Sequence, residues 1–188
     1  MTGINNLTYL SQRDPRWANT KIGNSNTTIG RYGCAITCLS MISQFFGCYQ
    51  LPDEIAKNAK NFEDDSIVWI QLNFPKFSFR WREGSLWNNA ENKIDMEMLK
   101  SYMAGESNKK NTEDRAVMLE VANRSHWVLA LWPTYDDDIL AIDPWTGKTC
   151  EVLKTYGNIT GASLFVKWTD KTKGAWRGKM SPVAPDYS

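Results

Sequence analysis

Apolar positions recur every three or four residues along residues 33–47, at Ala35, Cys38, Leu39, Ile42, Phe45 and Phe46. That spacing predicts one helix with a buried apolar face. Gly33 lets the chain turn sharply into this helix, and Gly47 is placed to end it. Residues 51–57 predict a second helix. Pro52 is tolerated in its first turn, and Asp53 and Glu54 suit its positive end. A third, short helix is expected over residues 64–72. Residues 77–82 alternate strictly between apolar and polar and predict a strand. A further helix is expected over residues 94–104, with Ile94, Met98, Leu99 and Tyr102 on one face and Gly105 at its end. Residues 106–114 are charged and polar and form a surface loop.

From Ala116 onward the period changes to two. Strands are predicted at 116–121, 126–132, 139–143, 149–154 and 163–168, and Asp136-Asp137-Asp138 marks a turn. Short strands joined by acidic or glycine turns predict an antiparallel sheet. Helices come first and strands follow, which is an α+β plan. Residues 1–33 read as irregular, with Tyr9 and Trp17 as the anchors to the core. Residues 1–170 form one domain. Residues 171–188, with Gly, Lys and two prolines, form a C-terminal extension.

Composition excludes several classes. The chain has 188 residues, enough for a single domain with a hydrophobic core, and a net charge of +1. There is no basic stripe, so a nucleic-acid partner is not expected. No apolar run has the length of a membrane span. The first residues lack the charged and apolar parts of a secretory signal. The expected location is therefore cytoplasmic by default, or released or virion-associated by a route that needs no signal. Without a signal, the sequon Asn26-Thr27-Thr28 is discounted. Cys34, Cys38, Cys48 and Cys150 are too few and too unevenly spaced for a disulfide scaffold, so reduced thiols are expected. Oligomeric state is not legible. The nine tryptophans serve packing, and some of them could line a groove.

Candidate chemistry starts at Cys34, in the first turn of the helix over 33–47. Unpaired N–H groups and the positive helix end point at it, and that environment favours thiolate over thiol. Cys38, one turn on, reads as a core residue. The only histidine, His126, opens a strand, and the next strand ends in Asp143. Paired through the acidic turn, those strands bring His126 and Asp143 to the same end. The aspartate could then accept from one ring nitrogen, leaving the other to face the cysteine helix. Asp143 taken alone is an ordinary turn-opening Asp-Pro. Gln12 taken alone is an ordinary surface residue. The acidic turn lacks the spacing of a calcium loop and reads as solvated.

Four stretches in order carry a resemblance: Gly33-Cys34-Ala35-Ile36-Thr37-Cys38-Leu39-Ser40-Met41-Ile42, Pro52-Asp53-Glu54-Ile55, His126-Trp127-Val128-Leu129-Ala130 and Asp143-Pro144-Trp145-Thr146-Gly147. Together they resemble the stand-alone cysteine peptidases of the papain-like fold related to double-glycine leader peptidases. Ser11-Gln12-Arg13-Asp14-Pro15-Arg16-Trp17-Ala18 is similar to that family's opening segment. The resemblance implies a papain-like fold, with N-terminal helices, including the central cysteine helix, packed on a C-terminal antiparallel sheet. It implies Cys34 as nucleophile, His126 as general base and later acid, Asp143 as the residue orienting the imidazole, and Gln12 as a side-chain donor to the oxyanion hole. The expected function is a cysteine peptidase cleaving a peptide or isopeptide bond through an acyl-enzyme, with no cofactor and no metal. The partner is a peptide or a peptide-containing polymer, such as a cell-wall peptide. Alternatives are an amidase or acyl transferase with the same triad, or a catalytically silent binding or structural module. A zinc site from Cys34, Cys38 and His126 lacks the usual paired-cysteine spacing.

Overall fold

Six strands hydrogen-bond into one antiparallel sheet in the computed structural model, which describes residues 7–82, 87–88, 93–104, 115–134 and 136–167. The strands are β3 (Phe77–Arg82), β6 (Arg115–Val121), β7 (His126–Pro133), β8 (Ile139–Asp143), β9 (Lys148–Glu151) and β10 (Gly161–Lys167). Their order across the sheet is β3-β10-β6-β7-β8-β9, with every neighbouring pair antiparallel. The helices are α1 (Ile29–Tyr32), α2 (Cys34–Phe45), α3 (Pro52–Lys57), α4 (Met96–Ala104) and α5 (Val152–Tyr156). Two small ladders complete the set: β1 (Phe62–Glu63) with β2 (Ser66–Ile67), and β4 (Trp87–Asn88) with β5 (Lys93–Ile94). The architecture is α+β. Among the described residues no helix is long and apolar enough to cross a membrane. The C-terminal extension over 171–188 and the loop over 106–114 lie outside the described residues.

The sheet is buried on both faces, and successive residues of one strand serve different cores. Met118, Trp127, Leu129, Ile142 and Phe165 join the core built around Leu39 and Ile42 of α2. Val117, Leu119, Val128, Ala130, Ala141 and Leu164 join a second core with Leu99 of α4 and Val152 of α5. Central strands are therefore apolar at nearly every position, as expected for a sheet covered on both sides. Helix α2 is buried from Cys34 to Ser43. Its hydroxyls turn inward onto backbone carbonyls: Thr37 Oγ1 donates to Gly33 O at 2.8 Å, and Ser40 Oγ donates to Gln50 O at 2.6 Å. Glu54 accepts the Leu51 N–H at 2.7 Å and secures the start of α3.

Gly33 is required by space rather than by an unusual backbone angle. Its φ is −87°, but a Cβ there would lie 2.5 Å from Ile29 Cγ2 and 2.6 Å from Ile29 O. The tight apposition of α1 against the start of α2 needs a residue without a side chain.

Five sequence expectations are corrected. Residues 64–72 do not form a helix. Asp64 adopts φ +54° in the turn between β1 and β2, and only a short 3-10 turn, Trp69–Gln71, follows. The left-handed turn breaks the helical run before it begins. The helix expected from residue 94 starts at Met96, because the Asp95 carboxylate accepts the Met98 N–H at 2.9 Å and caps it. Ile94 is in β5, Leu99 is buried, and Met98 faces solvent. Strand β9 stops at Glu151, and residues 152–156 turn into α5. The opening segment is anchored by Trp17 and Leu10, whereas Tyr9 is exposed; residues 29–32 within it are helical. The acidic turn is only partly solvated. Asp137 is exposed and pairs with Lys100, but Asp138 is buried. Its carboxylate accepts the N–H groups of Ile139, Leu153 and Lys154, which ties the turn to the start of α5.

Candidate active site

Strands β7 and β8 pair with Leu129 opposite Ile142 and Ala130 opposite Ala141, so the start of β7 and the end of β8 lie together. His126 and Asp143 occupy those two positions. His126 Nε2–H donates to Asp143 Oδ1 at 2.8 Å. The pair is largely shielded, with side-chain exposures of 14% and 8%. The Asp143 carboxylate is held from further sides. Its Oδ1 also accepts the Trp145 N–H at 2.8 Å, and its Oδ2 accepts from Thr146 Oγ1 at 3.4 Å. The Tyr156 hydroxyl lies near it and helps to hold its charge.

The cysteine helix meets this pair at the sulfur. Cys34 is the first residue of α2, and its side chain interacts at short range with the His126 ring. With Nε2 engaged by Asp143, Nδ1 is the ring nitrogen left for the sulfur. The first-turn N–H groups of α2 have no intrahelical acceptor and lie at the positive helix end. Burial alone would push the His126 imidazole down. The hydrogen bonds and charges of Asp143 and Cys34 outweigh it and hold His126 up at about 9. Burial likewise raises the Asp143 carboxyl, but the bonds from His126, Trp145 and Tyr156 leave it below its ordinary value.

Cys38 lies in the same helix and in a different environment. It is fully buried, its Sγ lies 3.7 Å from Trp127 O, and burial pushes its thiol well up. All four cysteines are free thiols. Among the described residues, no three His, Cys, Asp or Glu side chains are grouped to hold a metal ion.

Gln12 is buried, in contrast to the surface position that its residue type suggests. Its N–H donates to Pro144 O at 2.7 Å, and its Nε2 donates to Gly30 O at 3.3 Å. It thus bridges the turn after β8 to the segment that leads into Cys34. Gly147 permits this closeness: its φ is +69°, and a Cβ there would lie 3.1 Å from Ser11 Cβ.

Tyr156 was not singled out from the sequence. It sits at the end of α5, with its ring 5.8 Å from the His126 ring. Tyr156 lies just beyond the strand expected over 149–154, and the turn into α5 is needed to bring it near Asp143.

A groove of about 320 Å³ opens beside Cys34. Trp69 and Trp127, with ring centroids 5.2 Å apart, line it together with Tyr32 and Ile36. Asp65 and Arg124 add charge to the lining.

Comparison with known proteins gives no match: no protein-family model, no curated protein and no solved structure matches this chain.

Proposed function

We propose that this protein is a cysteine-type peptidase of papain-like fold, opening a peptide or isopeptide bond through an acyl-enzyme. One observation carries the proposal: the sole imidazole hydrogen-bonds to Asp143 and interacts at short range with the sulfur at the start of α2. A nucleophile, a base and an orienting carboxylate in contact are what such chemistry needs.

In the proposed reaction the Cys34 proton resides on His126, and the thiolate forms a bond to the carbonyl carbon. The carbonyl π electrons move to oxygen. The first-turn N–H of Cys34 and the Gln12 amide would meet that charge; Gln12 Nε2 carries a second N–H besides the one given to Gly30 O. When the tetrahedral species collapses, the C–N bond breaks and the amine leaves with the proton from His126. Water then adds to the thioester, giving a proton to His126, and the C–S bond breaks to release the acid and restore Cys34. Asp143 holds the ring so that the nitrogen facing the sulfur stays in line throughout.

Iodoacetamide labelling at neutral pH and cleavage of a peptide library, both read by mass spectrometry, test this. Cys34→Ala is expected to abolish cleavage and the fast labelling, while Cys38→Ala retains both. Fast labelling at Cys38, or cleavage that survives in Cys34→Ala, overturns the proposal.

A further inference from the structure

Two arginines of the opening segment lie over tryptophan rings. The Arg16 guanidinium is 4.4 Å from the centre of the Trp17 ring, and the Arg13 guanidinium is 4.9 Å from that of Trp145. Their N–H groups are used differently. Arg16 grips the Asp14 carboxylate with two donors, Nε at 3.0 Å from Oδ1 and Nη2 at 2.7 Å from Oδ2. Arg13 is exposed, and its guanidinium meets no carboxylate among the described residues. A guanidinium held over a ring keeps its in-plane donors free for a planar acceptor. The Arg16 pair shows which acceptor suits that arrangement: a carboxylate bound by two donors at once.

The Arg13 pair stands at the candidate active site. The Trp145 N–H donates to Asp143 Oδ1, the same oxygen that accepts from His126. Arg13 directly follows Gln12, whose N–H donates to Pro144 O at 2.7 Å. Ser11 Oγ accepts the Arg13 N–H at 3.1 Å and donates to Trp145 O at 3.3 Å. These bonds lace residues 11–13 to the turn after β8 and fix the cation beside the imidazole and its carboxylate. Trp145 is 45% exposed, so part of its indole faces solvent. Neither residue is among those that line the groove beside Cys34. In the proposed reaction His126 gives its proton to the departing amine, so the fragment that leaves passes the imidazole on the flank of this turn.

We infer that Arg13, on its Trp145 platform, selects substrates with a carboxylate in the leaving, amine-side fragment, close to the bond that Cys34 attacks. The inference rests on the peptidase reading above. Contact with the ring and the laced backbone orient the guanidinium before a substrate arrives, so little side-chain freedom is lost on binding. An amide in place of the carboxylate keeps the shape and loses the charge, and a cation there is repelled.

The test takes the peptide that the full chain cleaves fastest in the library and compares kcat/KM within two matched pairs. One pair carries Glu or Gln just after the scissile bond and has an amidated C-terminus. The other carries Gln there and ends shortly afterwards as a free acid or as an amide. At least one acid is expected to be cleaved about fivefold faster than its amide, as for an oriented, solvent-facing ion pair, and the advantage is expected to shrink as salt is raised. An advantage in the first pair assigns the carboxylate to a side chain. An advantage confined to the second assigns it to the chain end and makes the enzyme one that trims short C-terminal fragments. Arg13→Gln is expected to abolish the advantage, Arg13→Glu to invert it, and Trp145→Leu to lower it. Each ratio is internal to one variant, so a general loss of activity does not imitate these results. Equal rates within both pairs in the wild type, or an advantage that Arg13→Gln retains, overturns the carboxylate subsite and leaves the peptidase reading standing. The ring contact would then serve only to fasten residues 11–13 to the turn. A library that the wild type leaves uncut overturns the peptidase reading, and the subsite with it.

Discussion

A buried aspartate stands at each end of β8. Asp138, just before the strand, is 2% exposed, and Asp143, its last residue, is 6% exposed. Residue type, strand and burial are shared, but the donors differ. Asp138 is surrounded by backbone N–H groups, from Ile139 at 2.6 Å, Leu153 at 2.7 Å and Lys154 at 3.0 Å. Those donors cannot release a proton, so this carboxylate can only fasten α5 to the sheet. Asp143 takes one backbone N–H and a threonine hydroxyl, and it also faces an imidazole and a phenol. Its partners titrate or move, and one of them reaches a sulfur. The lesson is that burial and charge alone do not mark a functional carboxylate. The chemistry of the donors around it does.

The two cysteines of α2 repeat the contrast one turn apart. Cys34 stands at the open helix start against His126, and Cys38 is sealed beneath it against a carbonyl. A thiol whose pKa is pushed up by burial is a poor nucleophile.

The sharpest way to break the comparison is to remove each carboxylate in turn. Asp143→Ala is expected to lower kcat/KM on the best library peptide by about 10²–10⁴-fold, because the imidazole loses its orienting acceptor. Asp138→Ala is expected to leave kcat/KM little changed and to cost about 2–3 kcal/mol in chemical denaturation, because three N–H groups lose their acceptor. A reversal of the two outcomes would dissolve the distinction.

A smaller effect, measurable without substrate, concerns pH. His126 is the only histidine, so its ring resonance in NMR is unambiguous. Its midpoint is expected at about 9, and Asp143→Asn is expected to move it down toward 6.5 while Asp138→Asn does not. The folded value lies above the unfolded one, so the folded protein binds this proton more tightly. The stabilisation it brings is complete below about 6.5 and is lost as the pH rises through about 9. Asp143 acts in the opposite sense. Its stabilisation is present above the ordinary carboxylate value of 3.8 and is lost as the pH falls through its lowered one.

The smallest effect sharpens the picture at Asp143. Tyr156→Phe deletes one donor and keeps the ring against His126. A fall in kcat/KM of about tenfold or less is expected, with thermal unfolding nearly unchanged. An effect as large as that of Asp143→Ala would give Tyr156 a part in the reaction itself.

Much of the fold was legible because it rests on local periodicity. Helix α2 and strands β3, β6, β7, β8 and β10 follow from apolar spacing; β3 and β8 coincide with expectation, and the other boundaries lie within two residues of it. The failures fall where a single contact redirects the chain. Asp64 in a left-handed turn replaces a helix with a hairpin, and Asp138 reaching two N–H groups ends the expected strand at Glu151 and turns residues 152–154 into the start of α5. Periodicity carries no signal for either event. Within the candidate site, Cys34, His126 and Asp143 were legible as a helix start and two paired strand ends. The burial of Gln12 was not, because it depends on the opening segment folding back against Pro144 and Gly30. Tyr156 was not legible either, because its hydroxyl meets Asp143 only once α5 has formed.

The amino-acid order by itself determined the α+β plan, the thiol at a helix start and the pairing that brings the sole imidazole beside a carboxylate. These follow from short-range spacing and from a turn that joins neighbouring strands. Only the tertiary structure decided that Asp138 is buried on backbone N–H groups, that Gln12 is buried, and that four distant elements leave a groove beside Cys34. Each of those depends on what a side chain meets across the fold, and sequence spacing does not record such meetings.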